Sequence, residues 1–356
     1  MKQGYRVGIA GASSLLGQEL LRVLKEREFP VSCLLTFEAD EEEPDLPVVD
    51  LSEHLEAVAA DEKVPATELD FIFLAARHGQ TPPSLRPALE AVRVGATTTG
   101  QAPHCVVIDL VEALGGPSGE TPPRVMSIPF LERTVQSAEA SPPSGVLISA
   151  HPAAIALSGL LLRLAARFPL KGAVAQVFFP ASEMGAQGIE ELQKQTVNLL
   201  SFQKVPQSVF GTQLAFNLVA QLGGKHSAEL TAVENNIRRQ LRQYLANRVP
   251  SPALRVYQVP VFYSLAISLY VETAQPVAPE ALGAALAGEH IRVRRRSEPA
   301  PSQVEAAGSN DILVDTIAPD PDHPTGIWIW AAVDNIRLAA VNAVEIAESV
   351  RGRLHP

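Results

Sequence analysis

Residues Gly8–Leu24 read GIAGASSLLGQELLRVL. The short apolar run Tyr5–Ala10 leads into this stretch and reads as a strand. A Gly/Ser turn follows, and from Gly17 to Glu26 leucines recur at helical spacing. Strand, glycine turn and helix in this order open a parallel sheet with crossover helices. Gly11 allows the tight bend, and Gly17 lets the helix pack close to the strand. Ser14 stands between them, where its side chain takes up room while its hydroxyl can donate to an anion. The helix N-terminus adds free N–H groups and the positive end of a dipole.

Working outward, Val31–Leu35 is the next strand, followed by the acidic segment FEADEEEPD at Phe37–Asp45. Asp70–Ala75 and Cys105–Leu110 are further apolar runs of strand length. Strands alternating with helices imply a doubly wound parallel sheet. Beyond the linker PPSGVLISAHPAA the pattern changes. Ile155–Phe168 and Gly188–Leu200 read as helices, and Gly172–Phe179, Leu254–Phe262, Ser264–Glu272, His290–Arg296 and Gly326–Ala332 as strands. Residues 297–311 form a polar loop, and Asn335–Val350 is a helix rich in alanine and valine. The expected division is 1–148 for the first α/β domain and 149–330 for a second, α+β domain. A C-terminal helix, 331–356, returns to the first.

Composition narrows the function. At 356 residues, with 46% hydrophobic and 19% charged residues, the chain is long enough for two packed cores. The net charge of -10 argues against a general nucleic-acid partner, because phosphates are repelled. The basic run Arg292–Arg296 is read as a solvated face. No apolar run has the length of a membrane span, and the start carries no signal peptide, so a cytoplasmic protein is expected. Cys33 and Cys105 both sit in apolar runs and read as core residues. No HExxH or CxxC spacing accompanies them or the eight histidines, so no metal is expected.

Several landmarks lie along the chain in a telling order. They are the opening GIAGASSLLGQELLRVL, ASEMGAQGIEEL at Ala181–Leu192, AFNLV at Ala215–Val219, QVPVF at Gln258–Phe262 and DNIRLAAVNAVEIAE at Asp334–Glu348. Together they resemble the aspartate-semialdehyde dehydrogenase family, in its divergent USG-1-like branch. The resemblance covers nearly the whole chain. It implies an N-terminal Rossmann-like NAD(P)-binding domain, a dimerisation and substrate-type domain, and a homodimer. In that family aspartyl phosphate is reduced to the semialdehyde. A cysteine thiolate attacks the acyl carbon, a histidine moves the proton, arginine clamps the substrate carboxylate and a nicotinamide supplies hydride.

Carried over residue by residue, the reactive positions are altered. The nucleophile segment matches His151-Pro152-Ala153-Ala154, which puts Ala154 in the cysteine slot. The segment Gln258–Ser264 matches the stretch before the histidine, which puts Leu265 in the histidine slot and Gln258 in that of the clamping arginine. His151 is a possible substitute group or a cap for the following helix. A polar cluster of His151, Glu183 and Arg255 is what changed chemistry would need, although Arg255 lies at an odd strand offset from Gln258 and so points to the other face.

The cofactor positions are Gly11, Ser13, Ser14, Gly17, Glu38 and Asn335. Glu38 lies about 20 residues past the turn, where a carboxylate binds a ribose hydroxyl. With the acidic residues that follow it, Glu38 favours NAD over NADP if either binds. The expected function is that of a catalytically inactive homologue acting by binding or subunit pairing, including pairing with an active dehydrogenase. The alternative is an oxidoreductase that makes aspartate semialdehyde with NAD(P)H, or one with related, altered chemistry.

Overall fold

The computed structural model describes residues 4–37, 68–76, 85–87, 89–90, 92, 105–112, 124–134, 145–246, 248–295 and 298–354. Among these, no helix is long and apolar enough to cross a membrane. The chain divides into two compact units, Met1–Ala150 with Ala339–Pro356, and His151–Leu338. The boundary expected after residue 330 moves, because Gly326–Val333 is one continuous strand and residue 330 lies inside it.

The first unit is an α/β layer structure. Its strands β1 (Tyr5–Ala10), β2 (Val31–Phe37), β3 (Phe71–Leu74), β4 (Val106–Asp109), β5 (Arg124–Ser127) and β6 (Val146–Ser149) form a sheet of order β2-β1-β3-β4-β6-β5. Every pairing in it is parallel. Helix α1 (Leu15–Glu26) buries Leu20, Val23 and Leu24. These join Val7, Ile9, Phe71, Phe73, Val106 and Ile108 in one core. A short helix, α2 (Pro129–Thr134), follows β5. Cys105 is buried, whereas Cys33 is only half-buried. Burial pushes the Cys105 thiol up to about 12, with the Asp70 charge adding to the effect.

The second unit contains helices α3 (Pro152–Ala165), α4 (Gly185–Leu200), α5 (Glu229–Leu245), α6 (Pro279–Leu286) and α7 (Gln303–Ala306). Its strands are β7 (Leu170–Phe179), β8 (Ala253–Gln258), β9 (Leu265–Thr273), β10 (Ile291–Val293), β11 (Ile312–Pro319) and β12 (Gly326–Val333), in the order β10-β11-β12-β9-β7-β8. This sheet is mixed: β7–β8 and β10–β11 are parallel, and the other pairings are antiparallel. The strand expected at Leu254–Phe262 stops at Gln258, whose backbone turns to pair with Val219. Pro260 also has no N–H to continue the ladder. The strand expected at His290–Arg296 is only Ile291–Val293. Arg294 beyond it binds Asp315 at 2.8 Å, and Arg296 lies outside the described residues.

The two faces of this sheet differ. Val177, Phe179, Val256, Gln258, Leu265, Ile267, Leu269, Val271, Ile327 and Ile329 are buried. The alternate residues, which by strand periodicity point the other way, include Phe178, Tyr257, Tyr270, Trp328 and Trp330, half-buried or exposed. Helix α8 (Asn335–Leu354) follows β12. Its later part places Val341, Val344 and Ile346 in the core of the first unit. There Asn342 donates to Ser149 Oγ and to the Ser127 carbonyl.

Candidate functional site

In the first unit the glycine turn has its own geometry. Gly11 has φ +75°, and a Cβ there would meet the Ala76 backbone at 2.8 Å. Any other residue would therefore suffer both strain and a clash. A Cβ at Gly17 would collide with the Gly11 carbonyl. Both glycines are thus required by the close approach of helix to strand. Ser14 is the N-cap of α1: its Oγ accepts the Gly17 N–H at 3.0 Å and donates to the Gly11 carbonyl at 2.7 Å. The hydroxyl expected to be available to an anion is already used, because it satisfies an N–H that the helix start leaves without a partner. Ser13 is exposed beside it, and its carbonyl accepts from Gln18. Glu38 lies outside the described residues.

The positions that the family resemblance puts in the reactive slots lie in the second unit. Pro152 opens α3, an apolar helix whose N-cap is His151. Ala154, in its first turn, is 1% exposed. Leu265, at the start of β9, and Gln258, at the end of β8, are both 0% exposed. The Gln258 amide donates to the Phe179 carbonyl at 2.9 Å, so it faces back into its own sheet. Gln258 Oε1, Ser264 Oγ and Ser158 Oγ are buried without a hydrogen-bond partner among the described residues.

His151 is fixed on three sides. Its Nδ1 accepts the Ala153 N–H at 3.1 Å, its Nε2 lies 3.3 Å from Glu183 Oε2, and its ring stacks on Phe179 with centroids 5.4 Å apart. An Nδ1 that accepts carries no proton, so the proton of the neutral ring sits on Nε2 and points at Glu183. Glu183 receives a second donor on its other oxygen, from Asn335 Nδ2 at 2.9 Å. Asn335 Oδ1 in turn accepts from Ser182 Oγ and from the Ser264 N–H. Gln240 Oε1 accepts the His151 N–H at 2.9 Å.

Thus the structure brings together His151 and Glu183, and adds Asn335, which the sequence had placed with the cofactor residues. It does not bring in Arg255. That side chain is exposed, and its Nε approaches Glu234 of α5 at 3.9 Å. β-Strand alternation is the reason, since 255 and 258 point to opposite faces. Gln240, Ser182 and Phe179 escaped the sequence reading. Gln240 is 89 residues from His151, and nothing local marks their contact.

Residues 161–338 match the family model described as semialdehyde dehydrogenase, dimerisation domain. Over its full length the chain is similar to a USG-1 protein homolog of Azotobacter vinelandii, with 27% identity across 98% of each chain. It is 26% identical to an aspartate-semialdehyde dehydrogenase of Aquifex aeolicus across 97% of each. Among solved structures it is similar to a probable aspartate-semialdehyde dehydrogenase from Pseudomonas aeruginosa. There the TM-score is 0.74 at 26% identity, covering 98% of this chain and 99% of that one.

Proposed function

The chain belongs to the semialdehyde dehydrogenase family, in the USG-1-like branch of the aspartate-semialdehyde dehydrogenases, and on that premise we propose that it acts by binding and not by the family's reaction. The observation that carries this is the chemistry at the three slots. A methyl group at 154 cannot attack an acyl carbon, an isobutyl group at 265 cannot move a proton, and a neutral amide at 258 is committed to the Phe179 carbonyl. Loss of one such nucleophile or base alone costs a factor on the order of 10⁶ in rate.

His151 does not replace the missing base. Its Nδ1 lone pair is occupied by the helix cap, and its Nε2 proton is directed at Glu183. Taking up a second proton would require giving up the cap.

The same reading makes the protein a cytoplasmic homodimer built through its second unit. Support comes from the half-exposed aromatic side of the mixed sheet. There Tyr270 and Trp328 lie 4.9 Å apart between ring centroids, and Phe178 contacts both Tyr257 and Trp330. An apolar surface of this kind is what a twofold copy covers. It is equally suited to pairing with an active relative. Any dinucleotide binding is weak and favours NAD.

The test is a steady-state assay of aspartate semialdehyde with phosphate and NAD or NADP, over a range of protein concentrations. No turnover is expected. Turnover proportional to protein and abolished by His151→Ala would overturn the reading.

A further inference from the structure

Segment 201–223, between α4 and α5, has little regular structure, yet it is held by built contacts. Buried Glu191 of α4 accepts the N–H groups of Ser208, Val209 and Phe210 and the Ser208 hydroxyl. Buried Gln195 accepts from the N–H groups of Leu214 and Ala215 and donates to the Pro206 and Thr212 carbonyls. These two side chains fix the middle of the segment. On either side of that middle stand Phe202, 98% exposed, and Phe216, 69% exposed, both at positive φ.

The Ser208 carbonyl is held from the other direction. His226 Nε2 lies 2.9 Å from it, and His226 Nδ1 lies 2.6 Å from Glu229 Oε1 at the start of α5. Both neighbours are acceptors. A neutral imidazole has one N–H and can satisfy only one of them; the other ring nitrogen would then face an oxygen lone pair with its own. The imidazolium, with a donor on each nitrogen, satisfies both.

We propose that His226 is a proton-operated latch on segment 201–223. Charged, it bridges Glu229 and the Ser208 carbonyl; neutral, it releases one of them. The charged groups placed around it are Glu229 on α5, Glu191 of α4 on the far side of Ser208, and the exposed neighbour Lys225. Glu191 stays bound to the N–H side of Ser208–Phe210 in both states. The latch therefore loosens the segment on its carbonyl side without unfolding it. The bridge needs an N–H on both ring nitrogens, so it is lost when rising pH removes the second proton. The two flanking phenylalanines are then less rigidly presented.

Hydrogen exchange of the full-length protein, corrected for intrinsic rates at each pH, tests this on peptides from 201–223. Wild-type protection should fall by about tenfold in a single step as pH rises through the imidazole range, the loss expected for one charge-assisted hydrogen bond. His226→Gln should show no step. Glu229→Gln, whose amide can donate to Nδ1 so that the neutral ring keeps both contacts, should weaken the step. Superimposable profiles for wild type and His226→Gln would overturn the proposal. So would a wild-type step that Glu229→Gln leaves in place.

Discussion

The Nδ1 of His151 accepts the backbone N–H of Ala153 at 3.1 Å. That single bond assigns the ring its tautomer and its job, since a helix start leaves N–H groups that need an acceptor. Replacing His151 with alanine should cost about 1 kcal/mol, the usual value of a lost cap. His151→Asn should keep most of this, because an amide oxygen caps as well. Urea denaturation of the three proteins checks the order. A fully stable His151→Ala protein would show that the capping bond contributes nothing.

Restoring a thiol should not restore a reaction. Ala154→Cys places sulfur at a position as buried as Cys105, whose thiol burial pushes up to about 12. A thiol shielded in this way is a poor nucleophile near neutral pH, and Leu265, at the start of β9, supplies no base. The variant should remain without turnover and should react slowly with an alkylating reagent. Rapid alkylation, or measurable turnover, would contradict this account of the slots.

For the dinucleotide, the turn itself is intact, but two of its polar groups are spent on each other. Ser14 Oγ accepts the Gly17 N–H and donates to the Gly11 carbonyl. The sequence Glu38-Ala39-Asp40-Glu41 is acidic, and a 2′-phosphate brought near it would be repelled. Calorimetric titration should therefore show weak binding at most, with NAD ahead of NADP. Tight NADP binding with NAD excluded would reverse this conclusion.

Much of the fold was legible because its signals are local. Gly11 and Gly17 sit where the backbone needs them, and alternation along Leu265–Thr273 and Gly326–Val333 marks strands with two unlike sides. Helix α5 was not legible. Its buried residues Leu230, Ile237 and Leu241 are diluted by polar ones, some of which are also buried: Glu234 accepts the Val256 N–H, and Gln240 the His151 N–H. Ala154, Leu265 and Gln258 were singled out from the sequence alone, and the structure buries all three. Of what surrounds His151, Glu183 was named with it from the sequence, but Gln240 beside it and Asn335 behind Glu183 were not, because tertiary packing alone brings them there.

The aromatic side of the sheet should govern self-association. Trp328 is exposed while packed against Tyr270, which is the character of an interface anchor. Trp328→Arg should weaken the dimer by at least about thirtyfold, the effect of losing a hot-spot residue. Light scattering at matched dilute concentrations should then find the wild type paired and the variant near 38.1 kDa. A wild-type monomer would remove the dimer reading, whereas a variant that still pairs would move the interface elsewhere.

The last prediction concerns Glu191. Burial alone would raise this carboxyl, but hydrogen bonds from the Phe210 N–H, the Ser208 hydroxyl and the Val209 and Ser208 N–H groups outweigh it and hold the group below its ordinary value. A carboxyl depressed in the folded state stabilises that state above the titration of the unfolded one, about pH 4.3 for glutamate. The contribution disappears as pH falls through the folded value. Glu191→Gln keeps the shape but offers one acceptor oxygen in place of two and places an amide among donors. It should cost about 1–3 kcal/mol near neutral pH. The gap between wild type and variant should then narrow as the solution is acidified toward roughly pH 3. Urea denaturation at a series of pH values reads it directly. A gap that stays constant would mean that the charge of Glu191 is not what the segment depends on.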